Sequence, residues 1–579
     1  MNNERALGKV IAYYFPKSVG FWGSTQPRPE NVSLVDALET TVKFAIYRDR
    51  LEVAAIFFSS LFFFLWGLRS QEIIGFESRF YLFALEMWRH GVSWFPTTYS
   101  RPYPDYPATS IWLIYLSARL LGGLNKLTAV LPSATAASLT VCVTYCLGRL
   151  HSRRFGLSAV LFLFLTVTFI KYARTISLDM YPTLITLSCF YLIYSADQRQ
   201  QHKRLVWLYP LLWLGFLFRG PIGLVIPTGV VCFYYLLHRQ WKRFWVTGVT
   251  ALLLLIVSTA LLLLLAHQVG GAVFMQDVLR MEVLGRIDNR YLPLYFYFTD
   301  SVSGYALSFP CAVLVVFGLV FAWLSRKPVP QSAGLKSLLV WVLVVMVGMS
   351  LPGDKKLRYI LPMIPAVALL AASLVALPFS QPYFHFLRRG WLRLCLYLPA
   401  MLLLAVAAVF FYLKARSVTL AIQFSVLFVS LTLLQLVNGW LVYRAVLTQR
   451  VNEVAVMSVA ALSLMLAYLM AAEPVALYVD RARHLVRAME TVRLEWGAQL
   501  VFYRLPPDGL PIKYLMNMPK EAPAFFIETP AALAAFSAPA LFVTSGKAFA
   551  ELPAPLVSHY RIMASDYMGH TRVVIFTTR

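Results

Sequence analysis

The chain has 579 residues, 59% hydrophobic and only 14% charged, with a formal net charge of +25. A soluble globular protein carries roughly 25% charged residues, so this composition, with a mean hydropathy of +0.65, excludes that class and indicates a polytopic membrane protein. The basic balance does not indicate nucleic acid, because no basic run, zinc spacing or RNA-binding aromatic motif accompanies it.

Residues 1–50 are mixed in charge, and an amphipathic stretch near Val32 to Ile46 suits the cytoplasmic membrane surface. The first apolar run begins near Leu51, so no cleavable leader is expected. It reads as a span over Leu51–Leu68. A first outer loop, 69–133, then concentrates Glu72, Glu77, Glu86 and Asp105 with five arginines and the prolines of RPYPDYP. So much ionisable chemistry beside a span is costly unless it lies in water or a protein-lined cavity. The loop therefore reads as an active-site loop. Within it, Glu77–Arg89 has helical spacing. Ile111–Leu121 is too short to span and reads as interfacial, and the two are separated by the turn Arg101–Pro107.

Further spans are predicted at 134–149, 156–171, 180–195, 205–218, 222–237 and 245–266. A second long outer loop covers 267–301. Spans resume at 303–325, 335–351, 360–378, 394–413, 418–443 and 453–471, a total of about thirteen. Arginines gather in the short turns on one side (Arg153, Arg154, Arg243, Arg389 and Arg444 among them), which marks that side as cytoplasmic. With an odd count the tail 473–579 lies outside. Its segments GAQLVFYRL, APAFFIE, ALFVTSG and RVVIFTTR read as short strands of a small α/β domain that caps or docks. The expected fold class is thus an all-α polytopic membrane bundle over 51–472 with a small C-terminal α/β soluble domain. Cys142, Cys146, Cys189, Cys232, Cys311 and Cys395 all lie in apolar segments and read as packing residues, with no disulfide framework or zinc site. No internal repeat stands out, which disfavours a secondary transporter.

Several landmarks recur in a telling order: FESRF (76–80), LEM (85–87), Gly91, Trp94 and Pro96, then YPDYP (103–107). They are followed by ARTISLDMYP (173–182), FRGPIGLVIP (218–227) and KKLRYILPMIP (355–365). This order resembles the GT-C glycosyltransferases, above all the bacterial lipid A aminoarabinose transferases and next the protein O-mannosyltransferases. The likeness covers residues 50–370 and reaches the C-terminal domain only in general character. Two positions depart from the pattern. Phe76 stands where an aspartate is expected before the glutamate, and Tyr106 where a lysine is expected.

The resemblance implies a polyprenyl-phosphate sugar as donor and lipid A, another envelope glycan or a protein as acceptor. It places the chain in a bacterial inner membrane, with the active site and C-terminal domain periplasmic. It also implies direct displacement at the anomeric carbon through an oxocarbenium-like transition state, inverting the centre. The leaving group is a lipid phosphate, so cations must stabilise its developing charge. Whether a divalent metal takes part is left open.

Glu77 is the candidate base, because it occupies the matching glutamate position; the alternative is a salt bridge to Arg79, which with Tyr106 and Arg174 is itself a candidate to bind substrate. Asp179 would orient the base loop or contact the donor, or would simply pair with Arg174. Asp105 would hold an acceptor or a metal, or stiffen the turn beside Tyr106. Lys355, Lys356, Arg358 and Tyr359 would bind the lipid phosphate or reach headgroups. Arg219 and Arg286 are further phosphate candidates, with Arg286 on a loop that could close as a lid. A flippase for lipid-linked sugars would instead carry charges near span centres. A noncatalytic envelope scaffold would tolerate loss of Glu77.

Overall fold

The computed structural model describes residues 34–105, 107–284, 292–415, 422–536 and 538–578. Helix α1, Leu34–Leu65, contains no glycine or proline to break it and takes in most of the first predicted span. The first outer loop holds α2 (Glu77–His90) and α3 (Thr109–Leu120), the two short helices expected there. Between them Thr97–Thr98 (β1) and Arg101–Pro102 (β2) pair antiparallel. Tyr99 and Ser100, at φ 54° and 60°, form the two-residue turn of this hairpin. A turn with both central residues at positive φ normally uses Asn-Gly or Asp-Gly, so Tyr-Ser gave no sequence signal. The Glu86 carboxylate accepts the Ser100 N–H at 3.3 Å and holds the turn from the neighbouring helix.

The bundle continues with α4 (Lys126–Arg149), started by a capping box between Asn125 and Thr128. Next come α5 (Arg153–Phe164) and α6 (Val167–Ala173), bent by 77° at their junction, then α7 (Met180–Arg199). Helix α8, Leu208–Leu237, is folded at Arg219 and Gly220, which leave helical geometry; Gly220 has φ 60°. In a straight helix Gly215 and Gly223 would lie about 12 Å apart. Instead a Cβ on Gly215 would collide with the Gly223 carbonyl. The two arms therefore pack antiparallel, as the separate spans 205–218 and 222–237 required, and only residues without side chains fit the crossing.

Helix α9 (Trp241–Leu279) turns at Gly271, φ 73°, and is helical beyond residue 267, so the second outer loop begins later than the sequence suggested. The pair α10 (Phe296–Gly304) and α11 (Ser308–Leu324) is bent by 120°. Then follow α12 (Ser332–Ser350), a 3₁₀ turn over Leu357–Met363 leading into α13 (Ile364–Ala376), α14 (Pro382–Ala415), α15 (Phe424–Thr448) and α16 (Glu453–Ala467). Among the described residues nine helices are long and apolar enough to cross a membrane, and the two bent pairs raise this to eleven. That total is below the roughly thirteen passes expected from run lengths, because the runs 205–218 and 222–237 belong to the single folded helix α8 and α7 is not apolar enough to qualify. The span Leu357–Ala376 is 89% buried and forms the centre, whereas Phe424–Thr448, at 17%, presents its apolar side chains outward to lipid.

The C-terminal part starts with α17 (Glu473–Val479) and α18 (Arg483–Glu495) and builds a five-stranded sheet in the order β4-β3-β5-β7-β6. Strands β3 (Gln499–Tyr503), β4 (Ala524–Ile527) and β5 (Ala540–Ser545) are parallel; β6 (Tyr560–Met568) and β7 (Thr571–Thr578) join antiparallel. Strand β6 was missed because its alternation is broken by a register shift between Ile562 and Ala564. This domain docks on the first outer loop through polar contacts. Glu72 accepts the N–H of Ala482 at 2.7 Å, His90 meets Glu521 at 2.8 Å, and Tyr99 donates to the Pro507 carbonyl at 2.7 Å.

Candidate active site

Three landmarks from distant parts of the sequence meet at one carboxylate. Asp179 stands just before α7, with Oδ1 3.1 Å from Arg219 Nε and Oδ2 3.2 Å from Arg358 Nε. The fold of the α8 hairpin brings Arg219 there, and the 3₁₀ turn over Leu357–Met363 brings Arg358. All three side chains are largely buried, so two like charges sit side by side only because they share this counter-ion. The expected pairing of Asp179 with Arg174 does not form. Arg174 instead makes a two-pronged ion pair with Glu473, 2.9 and 2.6 Å, and donates to the carbonyls of Phe63, Phe64 and Trp66. It fastens the C-terminal part to the bundle.

Arg219 and Arg358 line a cleft of about 320 Å³ that also takes in Arg79, Asp105, Lys356 and Tyr359. Six residues expected to bind substrate are thereby brought together. Asp354, which the sequence reading passed over although it adjoins the two lysines, pairs with Lys356 at 3.1 Å and accepts the Tyr359 hydroxyl at 3.3 Å. Glu282, inside the second outer loop as the sequence bounds it, also faces the cleft. Lys355 does not: its ammonium donates to the Leu292 carbonyl at 2.9 Å and ties down the end of the second loop. Tyr106 and Arg286 lie outside the described residues. Among the described residues no three His, Cys, Asp or Glu side chains converge on a point where a metal could be held.

Glu77 is fully buried at the start of α2 and is not one of the cleft-lining residues. The alternative pairing with Arg79 does not form either, since the Arg79 guanidinium rests 5.5 Å from the Tyr103 ring centre. The Glu77 carboxylate pairs with Lys126 at 3.1 Å and accepts N–H groups from Ile74 at 3.2 Å and Ile176 at 3.0 Å. It thus ties the first outer loop to the segment that delivers Asp179. Lys126 had one sequence signal: a lysine directly after the helix-capping Asn125.

Phe76, the departure from the family pattern, has a place in this arrangement. The Arg358 guanidinium lies 4.5 Å from its ring centre, so an aromatic face supports the cation where a second carboxylate was expected. Such a contact contributes about 0.5–2 kcal/mol. Phe76→Ala is expected to lower kcat/KM for the reaction at this cleft about 2- to 30-fold, and Phe76→Trp to restore it; steady-state kinetics checks both.

Burial raises the Glu86 carboxyl above its ordinary value, although hydrogen bonds from Thr97 and from the N–H groups of Ser100 and Tyr99 partly oppose this. With a folded value above the unfolded one, its contribution to stability is complete at low pH and is lost as pH rises through the folded value. Glu86→Gln is therefore expected to raise Tm near pH ~7.5 and to leave it unchanged near pH ~4, measured by thermal unfolding across that range.

Residues 105–264 match the model of the dolichyl-phosphate-mannose-protein mannosyltransferase family. An uncharacterized protein of Aquifex aeolicus is 28% identical over 271 residues, covering 46% of this chain and 52% of that protein. The undecaprenyl phosphate-alpha-4-amino-4-deoxy-L-arabinose arabinosyl transferase 1 of Sodalis glossinidius is 25% identical over 308 residues, 51% of this chain and 54% of its own. The chain spans about half the length of the curated relatives it matches. The crystal structure of ArnT from Cupriavidus metallidurans bound to undecaprenyl phosphate superposes with a TM-score of 0.64 over 92% of this chain and 97% of that one, at 18% identity. Its apo form gives the same score over 93% and 98%, at 17% identity. At such identities the likeness is one of fold.

Proposed function

From a membrane chain that is ArnT-like and GT-C in fold, we infer a glycosyltransferase that draws its sugar from a polyprenyl-phosphate donor. One observation carries the reading. Met349 lines both the charged cleft and an apolar groove of about 550 Å³ between the second arm of α8 and α12. A phosphate held at Arg219 and Arg358 would therefore lie beside an apolar groove that suits an isoprenoid tail. A donor with a soluble nucleotide leaving group would need no such groove.

In this reading Arg219, Arg358 and Lys356 take the charge that develops on the departing lipid phosphate. Asp105, rigid between Pro104 and Pro107, orients an acceptor hydroxyl or takes its proton. Asp179 is a positioning residue, because its carboxylate is occupied by two arginines. The arginine-rich turns at the opposite end of the bundle support a cleft on the periplasmic face. The sugar named for the Sodalis relative is an amino pentose, and Asp105, Glu282 and Asp354 would give an amine matching charge. The resemblance to lipid A transferases favours a lipid acceptor.

The test supplies membranes holding the wild-type chain with radiolabelled undecaprenyl-phosphate aminoarabinose and, separately, a polyprenyl-phosphate hexose. Label is expected in the lipid fraction from the amino pentose donor. Transfer from the hexose donor alone would overturn the pentosyl assignment. Transfer from neither donor would overturn the enzyme itself.

A further inference from the structure

At the end of the bundle opposite the Asp179 cleft, α5, α15 and α16 line a separate open groove of about 1230 Å³. Arg153, Arg154, Arg444 and Arg450 line it against a single acid, Glu453. That acid is already committed: it pairs with Arg154, and its Oε1 accepts from Arg388 Nε at 2.8 Å. Arginine charge therefore dominates the groove. Two helix N-termini add to it. Ser152 caps α5 and Asn452 caps α16, so both helices present their positive ends here. At the C-terminus of α15 the Val446 carbonyl accepts from the Gln449 side chain at 2.9 Å.

The rim of the groove is built for a bilayer. Trp440 is half exposed, with the Arg444 guanidinium 5.0 Å from its ring centre, the pairing of aromatic and cation typical of a headgroup boundary. The exposed apolar face of α15 continues from it toward the membrane interior through Val437 and Leu433. A free phosphate would use the arginines alone and leave that face unused. We propose that this groove holds the headgroup of an anionic glycerophospholipid, its phosphate between Arg444 and Arg450 and its acyl chains along α15. Neither the sugar donor nor the transfer reaction enters this assignment.

The experiment titrates the delipidated full chain in detergent with phosphatidylglycerol, phosphatidylcholine or inorganic phosphate, reading bound lipid by native mass spectrometry and Tm by thermal shift. Phosphatidylglycerol is expected to bind and to raise Tm, and phosphatidylcholine to do neither. Arg444→Ala/Arg450→Ala should weaken phosphatidylglycerol binding roughly 30-fold, at about 1 kcal/mol for each arginine near a bilayer surface. Arg444→Lys/Arg450→Lys keeps the charge and should keep most of the binding, which controls for folding. Equal binding of both lipids, or unchanged phosphatidylglycerol binding in the alanine pair, would overturn the proposal. So would a Tm rise with inorganic phosphate that matches the lipid's, since the site would then be one for a free anion.

Discussion

Arg219→Ala is expected to lower kcat for sugar transfer by about 10²–10³-fold, the usual cost of removing one preorganised group that stabilises developing charge. The expectation rests on geometry. Arg219 lines the cleft from the fold of the α8 hairpin, and its Nε is fixed 3.1 Å from Asp179, so its guanidinium is held in place before substrate arrives. A cation that needs no reorganisation at the moment of bond cleavage is worth far more than a mobile one. Removing it leaves Asp179 still paired with Arg358, so no bare buried carboxylate results and Tm should stay near the wild-type value. Arg219→Lys keeps the charge but loses the planar fork, and an intermediate rate is expected. Single-turnover measurement of transfer from the labelled donor checks this series. An unchanged chemical step in Arg219→Ala would remove Arg219 from the transition state.

The second large effect is on stability. Glu77→Gln is expected to destabilise the chain by about 3–5 kcal/mol, because it strands the Lys126 ammonium without its counter-ion in a dry site. The side chains of Glu77 and Lys126 are 0% and 3% exposed, so water cannot substitute for the lost partner. Glu77→Gln/Lys126→Met removes both charges and should recover most of the loss, less what the Glu72 carbonyl forfeits when the lysine leaves. Activity then separates two roles. If Glu77 only ties Ile74 and Ile176 together, the double variant regains transfer as it regains Tm. If Glu77 is the proton acceptor, the double variant is stable and inactive. Thermal unfolding in detergent and transfer assays on the same preparations decide between them.

The sequence by itself determined whatever depends on neighbours along the chain. Apolar run length located the spans and α3, helical spacing located α2, and short apolar runs between turns located four of the five strands of the C-terminal sheet. The family motifs even named most of the cleft, since Arg79, Asp105, Arg219, Lys356, Arg358 and Tyr359 all line it. Pairing was another matter. Glu77 and Arg79 are two residues apart on a helix, where side chains do not face each other. The true partner of Glu77 lies in α4. Arg174 met Glu473, 299 residues away, and Asp179 met two arginines from separate segments. The hairpin at Tyr99–Ser100 and the fold of α8 likewise depend on what packs against them. A buried charge must find a counter-ion wherever the folded chain brings one, because leaving it alone in a low-dielectric interior costs several kcal/mol. That choice is made among residues close in space, so three-dimensional packing alone sets which carboxylates are tied into ion pairs away from the cleft and which line it.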